Sequence, residues 1–324
     1  MSIIALKLRM WLLVAILFSI VYGVVVAISY SAFGVVNFWF YLWLSLVMLF
    51  IQFIIGPKII EWTMRIKYVS ESEYPRLFAM VRNLSSVARL PMPKVAISDM
   101  SLPNAFAFGR WRSDGRVCLT RGIMHLLSED ELRAVLAHEI SHLKNRDVLT
   151  ITLLSVIPII LYRIAIHTLY FRDRRRESQG SAALIGMVAM IFYFVTNLLV
   201  LYASRIREYF ADRGAVSLGC QPSNLASALY KLVYGSARAD KESLREVEGL
   251  KAFFVNDPSC AVNEIKELRQ LDLDTSGTID ADELAALSSK GLRLGFGDRL
   301  LEVLSTHPNM LKRIKQLSTY KDAA

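Results

Sequence analysis

Two of the five histidines in the chain, His138 and His142, stand four residues apart with Glu139 between them. On a helix, positions i and i+4 share a face, so both imidazoles can meet one metal ion. This is the HExxH spacing, in which the two His hold Zn²⁺ and the Glu is general base toward the water that the ion activates. The competing reading is a solvent-facing helix with two incidental histidines. Against it stand the apolar run before the pair and a defined helix start, where the Ser128 hydroxyl and Glu131, three residues on, form a capping box.

A catalytic zinc needs a third protein ligand and one open position. The extended motif that adds a glycine and a third histidine is excluded, because Asn145 and Val148 hold those places. Much later the run Arg207-Glu208-Tyr209-Phe210-Ala211-Asp212-Arg213 reads as helix, with Glu208 and Asp212 on one face. A carboxylate here completes a His₂Glu site. Asp212 is then placed to accept a hydrogen bond from the outer nitrogen of a ligating imidazole, fixing its tautomer. The alternative for the pair is an ordinary juxtamembrane acidic face.

Peptide hydrolysis also needs a donor facing the carbonyl oxygen as it becomes negative. The candidate is His307, with Arg313 as its orienting partner, weighed against a structural His before Pro308 at a helix start. For the substrate backbone, the segment Asn104-Ala105-Phe106-Ala107 and on to Phe108 is the candidate strand edge, weighed against a plain core strand.

A second metal pattern runs from Asp272 to Glu283. Oxygen ligands fall at Asp272, Asp274, Ser276, Asp280 and Glu283, with Gly277 at the sharp turn and the Thr278 carbonyl completing the set. Ile279 fits the eighth place, and helical flanks are expected over 263–271 and 281–289. The loop is EF-hand-like, although Ser stands at its fifth position and no partner hand is visible. It reads either as a Ca²⁺ site that tunes the catalytic part or as a preserved tight turn.

The elements that position these groups are a helix expected over 73–90, strands over 94–98 and 116–120, a third strand over 104–108, and the helix that starts at Ser128. Around them the chain is strongly apolar: 54% of its 324 residues are hydrophobic, which excludes a disordered chain, and its formal charge is +9. No Asp, Glu, Lys or Arg occurs from Met10 to Pro57. That stretch is expected to form a transmembrane hairpin of Trp11 to Ser31 and Phe38 to Ile55, turning near Gly34 to Asn37, in preference to a cleaved signal peptide. Val148 to Tyr162 is a weaker span, because Pro158 breaks its hydrogen bonding and Arg163 and His167 interrupt it. Ser178 to Ser204 is a strong one.

Lys7 and Arg9 before the first hairpin, and Lys58, Arg65 and Lys67 after it, place both its ends in the cytoplasm. His142 and Glu208 must reach one ion, so both later segments cross or neither does. If both cross, the arginines of the loop from Phe171 to Arg176 lie outside, contrary to the positive-inside tendency. Cys118, Cys220 and Cys260 are scattered and without CxxC spacing, which suits a reducing compartment. The basic residues are spread along the chain without a nucleic-acid-binding motif, so the lipid bilayer with its anionic headgroups is the expected partner and nucleic acid is not.

The sequence resembles the HtpX family of integral-membrane zinc metallopeptidases, relatives of the CAAX prenyl endopeptidases. The resemblance runs from the N-terminal hydrophobic hairpin through Asn104-Ala-Phe-Ala107 and His138-Glu-Ile-Ser-His142 to Glu208-Tyr-Phe-Ala-Asp212 and Thr306-His307-Pro308. It implies zinc on His138, His142 and Glu208, catalysis by Glu139, a site facing the cytoplasm, and cleavage of damaged or misassembled membrane proteins.

The expected fold is thus an α-rich membrane protein with four hydrophobic helices and a cytoplasmic gluzincin-type α+β peptidase domain bearing an EF-hand-like insertion. Its parts are the hairpin 1–57, a first catalytic part 58–147, a second hydrophobic hairpin 148–204, and a second catalytic part 205–324. The expected function is a multi-pass cell-membrane zinc endopeptidase. The alternatives are a prenyl-protein endopeptidase and an inactive, membrane-anchored, calcium-responsive scaffold.

Overall fold

The computed structural model describes residues 38–170, 179–237, 271–289 and 302–320, with isolated positions at 8, 9, 12, 16, 264, 265 and 268. The expected first span, apart from Leu12 and Ile16, falls outside these residues. So do the 34–37 turn, the arginine-bearing loop at 171–176, Cys260, and most of the helix expected over 263–271. The chain divides into two compact units, Met1–Gly56 with Leu149–Ser204, and Pro57–Val148 with Arg205–Ala324.

Three long helices carry the apolar residues: α1 (Phe38–Thr63), α5 (Asp147–Tyr170) and α6 (Gln179–Ser217). Within the first unit, Leu154, Ile157, Leu161 and Ala165 of α5 pack with Ala189, Val200 and Ala203 of α6. On α6, Leu184, Met187, Ile191 and Phe194 remain exposed. A helix apolar on its outward face as well as its inward one suits an apolar solvent. Among the described residues one stretch, Leu184–Ser217, is long and apolar enough to cross a membrane.

Two boundaries differ from expectation. The span expected over Val148 to Tyr162, with Pro158 inside it, runs on to Tyr170 as α5. The burial of Pro158 among Ile157, Ile160 and Leu161 outweighs the hydrogen bond it removes. The run holding Glu208 and Asp212 is not a separate helix either, but the C-terminal portion of the 39-residue α6. The reason is that no Gly or Pro interrupts the chain from Met187 to Arg213.

The catalytic unit begins with the end of α1 and a four-stranded sheet in the order β1-β2-β4-β3. These are β1 (Ile66–Tyr68), β2 (Lys94–Ser98), β3 (Ala105–Phe108) and β4 (Arg116–Thr120). Strand β2 pairs parallel with β4, and β3 pairs antiparallel with β4, Ala107 opposite Val117. Three of the strands sit close to where sequence pattern puts them. The three-residue β1 was too short to show a period.

Side chains alternate across the sheet. Val95, Ala105, Val117 and Leu119 join the main core formed with α2 (Pro75–Ala88), α4 (Glu129–Asn145), α7 (Pro222–Ala237), α8 (Ala281–Ser289) and α9 (Met310–Leu317). On the other face, Ala96, Phe106, Phe108 and Cys118 pack against Met64. A short helix α3 (Arg121–Leu126) links β4 to α4.

Helix α4 is fixed at both ends. Ser128 and Glu131 make the reciprocal capping box, and Arg146 ends the helix in the left-handed conformation with its N–H on the His142 carbonyl. Glu131 also accepts from Ser227 Oγ at 2.6 Å and Lys231 Nζ at 2.9 Å, tying α4 to α7.

Candidate metal centre

The two histidines of α4 present their Nε2 atoms to each other at 3.1 Å. Both rings are turned this way by carboxylates behind them. His138 Nδ1 lies 2.9 Å from Asp212 Oδ1, and His142 Nδ1 lies 2.5 Å from Asp147 Oδ2. A carboxylate facing Nδ1–H favours the tautomer that leaves the Nε2 lone pair free for a cation.

Glu208, on α6, supplies the third donor. Its carboxylate oxygens lie 3.5 Å from His138 Nε2 and 3.6 Å from His142 Nε2. With metal bonds of about 2.0–2.2 Å and tetrahedral angles, donor atoms are expected about 3.3–3.5 Å apart. The separations, the last two taken to different oxygens of one carboxylate, lie near that value, and His138, His142 and Glu208 form a group that could hold a metal ion.

Charge balance supports the same reading. Glu139, Asp147, Glu208 and Asp212 are buried together, against buried Arg313 and half-buried Arg207. Carboxylates outnumber guanidiniums here, a setting that favours positive charge at the imidazoles, whether a proton or a cation. Burial disfavours charge on His138, but Asp212 and then Glu208 outweigh it and lift its pKa to about 9. Burial likewise pushes the Glu139 carboxyl above its ordinary value, with His142 and His138 pulling the other way.

Helices α4 and α6 approach closely. A Cβ added at Gly214 of α6 would lie 2.2 Å from Ser141 Oγ of α4, so this contact requires glycine. Arg313, on α9, is fully buried and makes two hydrogen bonds to Asp212, Nη2 to Oδ1 at 2.6 Å and Nε to Oδ2 at 3.0 Å. Its Nη1 is 3.2 Å from Glu208 Oε2. The expectation made it an orienting partner of His307. The structure places it against the acids, one helical turn past the Asn309 cap of α9.

His307 itself is buried, with Nδ1 3.6 Å from Glu208 Oε2 and neither ring nitrogen hydrogen-bonded among the described residues. Its segment is held by Arg205, whose Nη1 donates to the carbonyls of Glu302, Val303 and Ser305 at 2.8, 3.0 and 2.7 Å.

Glu139 accepts the Ala107 N–H at 2.7 Å, so its carboxylate is held by the sheet's edge strand β3. Of the residues expected to receive a substrate backbone, Asn104, Ala105 and Phe106 are buried, and Asn104 N donates to Thr120 Oγ1 at 2.8 Å. Ala105 and Phe106 are core side chains on opposite faces of the sheet. What the edge offers is the half-buried backbone at Ala107.

The loop Asp272 to Glu283 lies apart from this centre in sequence and binds its own backbone. Asp272 Oδ2 accepts Gly277 N–H, Asp274 Oδ1 accepts Ser276 N–H, and Glu283 accepts the N–H groups of Leu273 and Asp280. Gly277 has φ +79, the conformation the turn demands. Oxygens of Asp272, Asp274 and Glu283 come within 4.8 Å of one another, while Ser276 and Thr278 hydrogen-bond each other at 2.9 Å and Asp280 caps Glu283 N–H at 2.8 Å.

Sequence reasoning missed Asp147 and the Ala107 N–H. An acid five residues past the second histidine was the available signal for Asp147. The role of Ala107 depends on strand pairing and had none.

Two histidines and a glutamate from separate helices, with a second glutamate beside them, define the class: a peptidase of the HExxH type. The model of Peptidase family M48 matches residues 71–321. A protease HtpX homolog of Methanothermobacter thermautotrophicus is 50% identical over 228 residues, covering 70% of this chain and 86% of that one. A second HtpX homolog, from Methanosarcina mazei, is 37% identical over 269 residues, covering 82% and 79%. The crystal structure of S. mikatae Ste24p shares the fold at a TM-score of 0.53 and 17% identity, over 97% of this chain and 67% of that one. The chain belongs to peptidase family M48, as an HtpX-type protease.

Proposed function

We propose that the protein is a membrane-embedded, zinc-dependent endopeptidase that cleaves membrane proteins in quality control, with its site on the cytoplasmic side. The observation that carries this reading is the meeting of His138 Nε2, His142 Nε2 and the Glu208 carboxylate, one oxygen 3.5 Å from the first imidazole and the other 3.6 Å from the second, beside an acid that is not a ligand. When bound, zinc supplies Lewis acidity, bringing the pKa of a water to about 7 and polarising the scissile carbonyl. Glu139 removes the proton of the attacking water at its carboxylate and returns it to the leaving amine. Ala107 N–H holds that carboxylate in line. His307, buried on the Glu208 side, donates to the carbonyl oxygen as charge grows there. Asp212 and Asp147 keep the two imidazoles in the ligating tautomer, and Arg313 neutralises Asp212 and orients Glu208.

The membrane part is read as four hydrophobic helices, with the 10–57 stretch as the first pair and α5 and α6 as the second. Basic flanks at Lys58, Arg65 and Lys67 set the cytoplasmic side. Incubation of the reconstituted protein with a misfolded membrane protein and, separately, with a farnesylated peptide tests the substrate class. Chelator-sensitive cleavage of the first alone is expected. Cleavage confined to the farnesylated peptide would make it a prenyl-protein endopeptidase, and cleavage of neither would favour an inactive scaffold.

The EF-hand-like loop is read as a Ca²⁺ site on Asp272, Asp274, Ser276, Thr278, Asp280 and Glu283 that orders this insertion. The clustering of three acidic side chains supports it. Titration calorimetry is expected to show one Ca²⁺ binding to the wild type and none to Glu283→Gln. Identical titrations would leave the loop a tight turn.

A further inference from the structure

Trp11, Trp39 and Trp43 fall within the uncharged N-terminal stretch, but Trp62 and Trp111 do not. Both belong to the catalytic unit, and they are 85% and 53% exposed. Two indoles this open to water are unusual on a soluble surface. The segments that carry them are tied together. Glu61, beside Trp62, is 3.3 Å from Arg116 Nε, and Arg116 Nη1 is 3.0 Å from Asp114 Oδ2. That oxygen also takes Arg110 Nε at 2.7 Å, and the Arg110 guanidinium lies over the Trp111 ring at 5.0 Å.

The β3–β4 hairpin tip is anchored on a second side, where Arg112 Nη2 donates to the Lys144 carbonyl near the end of α4 at 2.9 Å. The chain passes from the apolar unit into the catalytic one at Pro57, back at Leu149 and in again at Arg205. The tip is thus fastened to residues close in sequence to the first two of these three passages. On α1 an exposed apolar stripe of Ile51, Ile55, Ile59 and Trp62 ends at Arg65, as a helix does where hydrocarbon gives way to water. Lys58 lies four residues before Trp62, and Arg110 and Arg112 flank Trp111; with Arg116 these are four cations against two acids already in ion pairs, Glu61 and Asp114. Aromatic rings amid excess positive charge match the phosphates of an anionic lipid surface.

We propose that the β3–β4 hairpin tip, with Trp111 at its centre and Trp62 beside it, is seated in the headgroup layer of an anionic bilayer and anchors the catalytic unit there. This rests on the membrane reading of the apolar helices. The full chain is reconstituted into phosphatidylcholine vesicles with or without phosphatidylglycerol, using lipids brominated just below the headgroup. The Trp111 and Trp43 contributions to fluorescence are taken as differences between the wild type and the variants Trp111→Phe and Trp43→Phe. Bromolipid is expected to quench the Trp111 component, about twofold more strongly with the anionic lipid, and Arg110→Glu with Arg112→Glu is expected to remove that increase. A Trp111 component quenched by aqueous acrylamide and untouched by bromolipid, while Trp43 is quenched, would overturn the proposal and leave the membrane reading standing. If neither indole is quenched, the membrane reading itself fails. A Trp111 component that responds only to added membrane-protein substrate would assign the tip to a protein partner and overturn the lipid proposal.

Discussion

Glu139→Gln is expected to lower proteolysis by about 10²- to 10⁴-fold while metal content stays at the wild-type level. Glutamine keeps the size of the side chain and an oxygen to accept the Ala107 N–H, so the hydrogen bond to β3 survives. The residue is not one of the three donors, and neither imidazole leans on it. What disappears is a group able to take a proton and give it back. Turnover measured alongside metal analysis separates the outcomes. Equal turnover would remove Glu139 from the mechanism, and a parallel fall in metal content would make it part of the cage.

Arg313→Ala is expected to destabilise the catalytic unit by about 3–5 kcal/mol. The guanidinium is wholly buried with two hydrogen bonds to Asp212 and a close approach to Glu208. Its removal strands two carboxylates out of water beside the imidazole they serve. Lysine restores the charge without the two-pronged geometry and is expected to recover only part of the loss. Pairing Arg313→Ala with Asp212→Asn removes one of the stranded charges and is expected to restore stability partly. Thermal unfolding of the four proteins in one detergent reads the series. An unchanged transition for Arg313→Ala would show that the acids are balanced by something else.

The legible and illegible parts of the molecule divide along physical lines. Ser128 and Glu131 announce the start of α4 because a capping box is local chemistry, and the structure contains it. Strands β2 and β4 were legible from short apolar runs between turn residues. The convergence of α4 and α6 was legible only as a requirement of zinc valence, since nothing near Glu208 in sequence says which helix it will face. Three features were hidden because they are made by tertiary contacts: the Gly214 approach to Ser141, the turning of Arg313 toward Asp212, and the Ala107 N–H on Glu139. Asp147 was overlooked for a different reason. It lies just past a helix end, and only the left-handed Arg146 brings it back toward His142. The persistence of α5 through Pro158 shows a local rule overridden by packing.

X-ray absorption at the zinc edge of the purified full chain tests the assembly of the metal centre most directly. Two imidazole nitrogens and oxygen neighbours at about 2.0–2.2 Å are expected for the wild type, with loss of an oxygen neighbour or of the metal itself in Glu208→Ala. A spectrum with sulfur neighbours, or one left unchanged by that substitution, would contradict a site built from His138, His142 and Glu208.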